Sequence, residues 1–170
     1  MPVQKTKKVY GEADEVRDIA MQLIPTYHPE LASATIRYIW VSEASKKNGK
    51  PLLAKASKVS DLQSYLIVGD GDEQLHFLMI FALDEWQKLD NRKRIALVDH
   101  MLEGCTGEED EQNGEMKWTT RTPEVQEFTS ILNRHGAWTE ELSGMVEVAN
   151  RLNLDARAQE VVDTIHNQEV

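Results

Sequence analysis

Apolar residues recur with a helical period most clearly between Arg94 and Cys105. At roughly 100° per residue, Ile95, Leu97, Val98, Met101, Leu102 and Cys105 fall on one broad arc. Ala96, Asp99, His100, Glu103 and Gly104 fill the other. The spacing predicts a helix with one face built for a core and a second face presenting His100 and Glu103 together, since residues three apart on a helix are neighbours. Asp90 suits the N-cap, where its side chain can accept a first-turn N–H. Gly104 suits the C-terminal stop. An earlier helix is predicted from residue 12 to about residue 27: Val16, Ile19, Ala20 and Leu23 keep the period, and Glu12, Asp14 and Glu15 suit its positive end. Pro25 should disturb its last turn and His28-Pro29 should end it.

Strand patterns lie between these helices. Residues 35–41, rich in β-branched and aromatic side chains, alternate and predict a strand. Residues 45–51 predict a hairpin turn at Asn48-Gly49. Residues 52–59 then form the return strand, whose Lys55 and Lys58 suit an exposed sheet edge. Residues 68–73 lack the spaced ligands and closing glutamate of a calcium loop and predict a tight acidic turn. The run from Leu75 to Ala82 is apolar enough for a central strand. A short helical turn over residues 84–89 should anchor Trp86 in the core.

Beyond the organising helix, residues 103–115 contain Glu108, Glu109, Asp110 and Glu111 between Gly107 and Gly114, which predicts a flexible acidic loop. A short edge strand is expected over residues 116–122. Pro123 suits the first position of a helix capped by Thr122, with Glu124 at its positive end and Val125, Phe128, Ile131 and Leu132 in period. His135-Gly136 should end that helix, with His135 as a cap rather than a ligand, and Trp138 should pack back. Thr139 opens a further helix whose apolar stripe runs through Met145, Val146, Val148, Ala149 and Leu152, and a last helix spans residue 156 to about 165. This order predicts an α+β fold: helices packed on one side of a small, mainly antiparallel sheet. Residues 1–11, with Lys5, Lys7 and Lys8, read as a flexible basic leader. Residues 12–170 read as one domain with a helical C-terminal extension from about residue 139.

Charge narrows the function classes. The 170 residues carry a formal net charge of −10, which disfavours non-specific nucleic-acid binding and favours a basic protein surface as partner. Cys105 is the one cysteine; it cannot form an internal disulfide and lies on the apolar arc, so it should be a buried, inert thiol. No stretch of about 18 apolar residues or N-terminal signal pattern is present. His28 and His76 read as a loop residue and a partly exposed strand residue.

The candidate chemistry sits on the organising helix. A zinc peptidase helix carries H-E-x-x-H: two imidazoles grip the ion and the glutamate activates water. Here Met101 follows His100, and Gly104 stands four residues on. A thioether takes no proton from water, and glycine offers no ligand. The inverted H-x-x-E-H pattern fits His100 and Glu103 and fails again at Gly104. The segments Ala96-Leu-Val-Asp-His100, Lys117-Trp118, Val125-Gln-Glu-Phe128 and Arg134-His-Gly-Ala-Trp138 together resemble the putative phage metallopeptidase domain, a zincin-like family. The likeness runs over roughly residues 16–142. It implies a zincin-like fold, a phage-encoded chain and the cytoplasm of a bacterial host. The family pattern would place a glutamate at Met101, a second histidine at Gly104 and a third near Pro123. Only His100 carries over, with Glu103 as the one nearby candidate ligand.

These observations point away from catalysis and from a bound metal. They imply an accessory protein that binds a host or defence protein bearing a basic surface, through Glu108, Glu109, Asp110 and Glu111. Two alternatives stay open. One is a zinc-dependent metallopeptidase with an altered site using His100, Glu103 and Asp99 or His135. The other is an acidic DNA mimic that occupies the groove of a DNA-binding protein.

Overall fold

A computed structural model describes residues 7–71, 73–123, 125–127 and 129–167. The readings placed on Lys5, Asp72, Glu124 and Phe128 lie outside those residues. The chain divides into two compact units, Met1–Arg121 and Thr122–Val170.

The first unit is α+β. Strand β1 (Tyr10–Glu12) leads into helix α1 (Asp14–Tyr27), then a single 3-10 turn (Pro29–Leu31) and strand β2 (Ile36–Val41). A two-residue hairpin, β3 (Lys46–Lys47) and β4 (Lys50–Pro51), precedes β5 (Ala54–Lys58). Helix α2 (Asp61–Val68), strand β6 (Phe77–Ala82), the turn of helix α3 (Leu83–Trp86) and helix α4 (Asn91–Glu103) follow. A second hairpin, β7 (Cys105–Glu109) and β8 (Met116–Thr120), closes the unit.

The main sheet has the order β1-β2-β6-β5. β6 takes an inner place because both its faces are apolar: Phe77, Met79 and Phe81 are buried on one, and Leu78 and Ile80 are half-buried on the other. β2 runs parallel to β6, from Ile36 opposite Phe77 to Val41 opposite Ala82. β5 runs antiparallel to β6, from Ala54 opposite Phe81 to Lys58 opposite Phe77. The expected return strand therefore forms but does not pair with β2; β6 lies between them. Only β3 and β4 make the Asn48-Gly49 hairpin, whose φ values of 51° and 77° are the left-handed pair such a turn demands. β5 is a sheet edge and carries exposed Lys55, as its lysines predict.

α1 and α4 pack against each other under this sheet. Val16, Ala20 and Leu23 of α1 and Ile95, Val98 and Leu102 of α4 are buried, at the helical spacing the sequence shows. Trp86 is buried and stands edge-on to Trp40 and Phe81, at 5.2 and 5.8 Å between ring centroids. Its Nε1–H donates to Glu15 Oε2 at 3.1 Å, and Arg94 lies over the ring at 5.4 Å while pairing with Glu15 Oε1. Helix α1 ends at Tyr27 before His28-Pro29, as the sequence predicts, and continues through Pro25.

The acidic segment departs from expectation. Residues 105–109 are not a flexible loop but the strand β7, paired antiparallel with β8 from Cys105 opposite Thr120 to Glu109 opposite Met116. The reason is packing at its base. Cys105 and Trp118 are both buried, and Trp118 lies across Gly107, where an added Cβ would come within 2.4 Å of the ring. Gly107 reads as a loop former in the sequence, yet it serves as the seat of an indole. Only the tip is a turn, closed by Gly114 N–H to Asp110 O at 2.7 Å with Gly114 at φ 68°.

The second unit holds α5 (Thr129–His135), α6 (Glu140–Arg151) and α7 (Leu154–His166). The helix expected from Pro123 starts at Thr129 instead, and residues 125–127 are not helical. Pro123 permits a helix start without requiring one, because its fixed φ serves extended chain equally well. Thr139 and Asn153 cap α6 and α7 by accepting from Leu142 N–H and Ala156 N–H. Trp138 does not pack back: it is 61% exposed, with its Nε1–H held by Glu127 Oε2 at 3.0 Å. Met145, Val146 and Val148 are exposed as well.

Candidate functional site

α4 presents its polar arc as the periodicity predicts. Asp90 caps it, accepting from Lys93 N–H at 2.9 Å, and Gly104 follows its last turn. Gly104 sits at φ −72°, an ordinary right-handed value. An added Cβ there would meet nothing nearer than Met101 O at 3.4 Å. The backbone therefore does not demand glycine at this position.

His100 is exposed near the end of α4, and among the described residues no side chain bonds to it. The expected contact with Glu103 is not made. Glu103 turns instead to Arg121 at the end of β8: Arg121 Nη2 pairs with Glu103 Oε1, and its Nε donates to Glu103 O at 2.7 Å. A guanidinium holds a carboxylate in this way through several aligned donors.

The structure assembles a different cluster one turn back. His28 is buried, 1% exposed, at the junction of α1 and the 3-10 turn. Its Nε2–H donates to Asp99 Oδ1 at 2.6 Å. Its Nδ1 has no hydrogen-bond partner, and the nearest carboxylate oxygen, Glu103 Oε2, stands 3.5 Å away. His28 is thus not the loop residue the sequence suggests; it ties the exit of α1 to the polar arc of α4. Neither His28 nor Arg121 was legible as a member of this cluster. The available trace was the i,i+4 pair Asp99 and Glu103 on the arc facing away from the core. Nothing local pointed to a partner 71 residues away.

A metal site of the zinc peptidase kind needs three protein ligands that converge on one open position. The side chains here do not fit that demand. Asp99 and Glu103 stand at opposite ring nitrogens of His28, so they do not converge on one point, and Glu103 is held by Arg121. Among the described residues no group of three His, Cys, Asp or Glu side chains is arranged to hold an ion. His135 ends α5, before Gly136 at φ 67°, in the helix-terminal place the sequence predicts. Cys105 is fully buried, and burial pushes its thiol up to about 12. That is the inert state its position on the apolar arc implies.

The acidic residues proposed for partner binding lie along one hairpin. Glu108 and Glu109 are exposed on β7, and Glu111 is exposed in the turn. These three carry no ion pair among the described residues. Asp110 differs: Lys117 Nζ lies 2.5 Å from its Oδ2. That ammonium, with Gln112 N–H, holds the Asp110 carboxyl below its ordinary value. Among the described residues the hairpin thus offers three carboxylates without an ion pair and one already neutralised.

No helix among the described residues is long and apolar enough to cross a membrane. A family model described as putative phage metallopeptidase matches residues 8–150 of the chain. No curated protein and no solved structure matches it.

Proposed function

The chain belongs to the putative phage metallopeptidase family, and from that premise we propose that it is a non-hydrolytic member that acts by binding a host or defence protein. The observation that carries this reading is the chemistry around His100. Met101 and Gly104 stand where the zinc-helix pattern requires a base and a ligand, and the one carboxylate within reach, Glu103, is engaged by Arg121. A lone imidazole neither fixes an ion nor lowers the pKa of a bound water. The hairpin carboxylates Glu108, Glu109 and Glu111 supply the complementary half: an exposed acidic rim that steers a basic surface toward it.

Two measurements test this. Zinc content of the purified chain by elemental analysis is expected to be far below stoichiometric, while Met101→Glu/Gly104→His, which rebuilds the helix pattern on a backbone that tolerates a side chain at residue 104, should raise zinc retention. Stoichiometric zinc in the unaltered chain, removed by chelator together with a peptidase activity, would overturn the reading. Reversing the charges in Glu108→Lys/Glu109→Lys/Glu111→Lys should cut retention of a bacterial partner protein by roughly tenfold. Undiminished retention would remove the hairpin from the binding surface.

A further inference from the structure

Helix α2 is fixed by polar bonds at its start and on its inward side, and it leaves an apolar face open to solvent. Ser60 and Gln63 close a reciprocal capping box at its start, and Gly69 at φ 74° ends it. Ser64, its one buried residue, accepts from Leu75 N–H at 2.8 Å. Asp61 Oδ1 accepts from Gln74 Nε2–H at 2.6 Å. Leu62, Tyr65 and Leu66 meanwhile stand 68, 56 and 73% exposed, with Ile67 and Val68 at 39 and 42%. Leu62, Tyr65 and Leu66, at i, i+3 and i+4, make one exposed apolar face on a helix held by polar bonds, which marks a contact site rather than an unfinished core.

The charge around it selects the occupant. Residues 59–87 contain no lysine or arginine, and the nearby lysines, Lys58 and Lys117, line other concavities that share Asp61 rather than the one beside Tyr65. Asp61, Asp70 and Glu73 line a concavity of about 420 Å³ that Tyr65 and Val68 share. An anionic lipid surface or a nucleic acid would meet like charge there. A second copy of the chain, docked face to face, would bring the same carboxylates together. A cationic amphipathic segment meets neither obstacle. We propose that α2 and the acidic stretch after it form a docking surface for such a segment of a partner protein. Apolar side chains of the partner seat on Leu62 and Leu66. A lysine or arginine enters the concavity, where the face of Tyr65 and the carboxylates of Asp70 and Glu73 receive it. This surface is carried by α2, not by the β7–β8 hairpin, and it stands whether or not α4 has lost hydrolysis.

The test uses the full chain and two synthetic probes of equal length and charge: a leucine–lysine peptide with one apolar face, and a lysine–serine peptide without it. The first is expected to bind roughly tenfold more tightly than the second, and to protect the amides of residues 61–69 from hydrogen exchange. Leu62→Ser/Leu66→Ser should abolish that preference, and Asp70→Asn/Glu73→Gln should weaken binding of both peptides. Reversal of the hairpin charges should leave the preference intact, which separates a failure here from a failure of the hairpin. Equal binding of the two probes by the unaltered chain, or protection confined to other segments, would overturn the proposal. So would retention on phosphatidylserine vesicles, or a dimer in sedimentation that Leu62→Ser/Leu66→Ser dissolves.

Discussion

In α4, Ile95, Val98 and Leu102 are all buried, whereas in α2 Leu62, Tyr65, Leu66, Ile67 and Val68 are all exposed. α2 is the richer of the two in apolar residues for its length, yet only Ser64 of it is buried. The angular placement separates them. The buried residues of α4 stand at i, i+3 and i+7 on one arc. In α2, Leu62, Tyr65 and Leu66 also share one arc, at i, i+3 and i+4, but that arc faces away from Ser64, the one residue of the helix that is buried. Apolar content alone therefore does not place a helix inside; the face turned to the core decides, and α2 turns Ser64 inward and is held by its cap and polar contacts.

The comparison breaks most directly at Leu102. Its side chain is fully buried between α4 and the rest of the first unit. Leu102→Ala should lower stability by about 2–5 kcal/mol, the range for deleting a buried leucine side chain. Urea unfolding followed by tryptophan fluorescence reads it. A loss under about 1 kcal/mol would mean that α4 is not the helix on which this core closes.

The next effect lies on the polar arc of the same helix. Asp99→Asn keeps the shape and removes the charge that His28 Nε2–H meets at 2.6 Å. The bond is partly screened, since Asp99 is 34% exposed while His28 is 1% exposed. Asn Oδ1 still accepts from His28, so a loss of about 1 kcal/mol is expected, the difference between a charged and a neutral hydrogen bond. A double-mutant cycle with His28→Ala measures the coupling itself. A coupling energy near zero would show that the junction of α1 and α4 is held by apolar contact alone.

A smaller, pH-dependent effect comes from His76 at the start of the central strand. Burial lowers its pKa from the ordinary 6.5. Its Nδ1 also accepts Thr35 N–H at 2.9 Å, a bond that protonation there would break. With the folded value below the unfolded one, the unfolded chain takes the proton first. Stability is then fully present above about 6.5 and declines as pH falls from there through the folded value. His76→Gln should flatten that part of the stability curve. An unchanged slope between pH 6.5 and 5 would assign the loss to another group.

These contrasts also explain what the sequence discloses. α1, α4, β6 and the buried Trp86 are legible because each is written in a local period or a local apolar run. The parallel pairing of β2 with β6 is not, since register between strands 41 positions apart leaves no mark in either. β7 was hidden because Gly107 serves the ring of Trp118 across the hairpin, and a glycine near acidic residues reads as a loop from sequence alone. The site divides the same way. His100, Met101 and Gly104 could be weighed at once, as neighbours on one helix. The His28–Asp99 bond and the hold of Arg121 on Glu103 required the fold.

The smallest stability effect belongs to α2, and it is the one that sharpens the comparison. Leu62 and Leu66 contribute little burial, so Leu62→Ser/Leu66→Ser removes little apolar surface that folding takes from water. Serine has a lower helix propensity than leucine, but the cap at Ser60, the Ser64–Leu75 bond and the Asp61–Gln74 bond remain. A change within about 0.5 kcal/mol is therefore expected, the range of surface substitutions away from such anchors. Ser64→Ala, by contrast, leaves the buried Leu75 N–H without its acceptor and should cost more, about 1 kcal/mol or above. If the order were reversed, with the leucines mattering more than the serine, α2 would be held by its apolar side chains after all. The distinction drawn between the two helices would then fail.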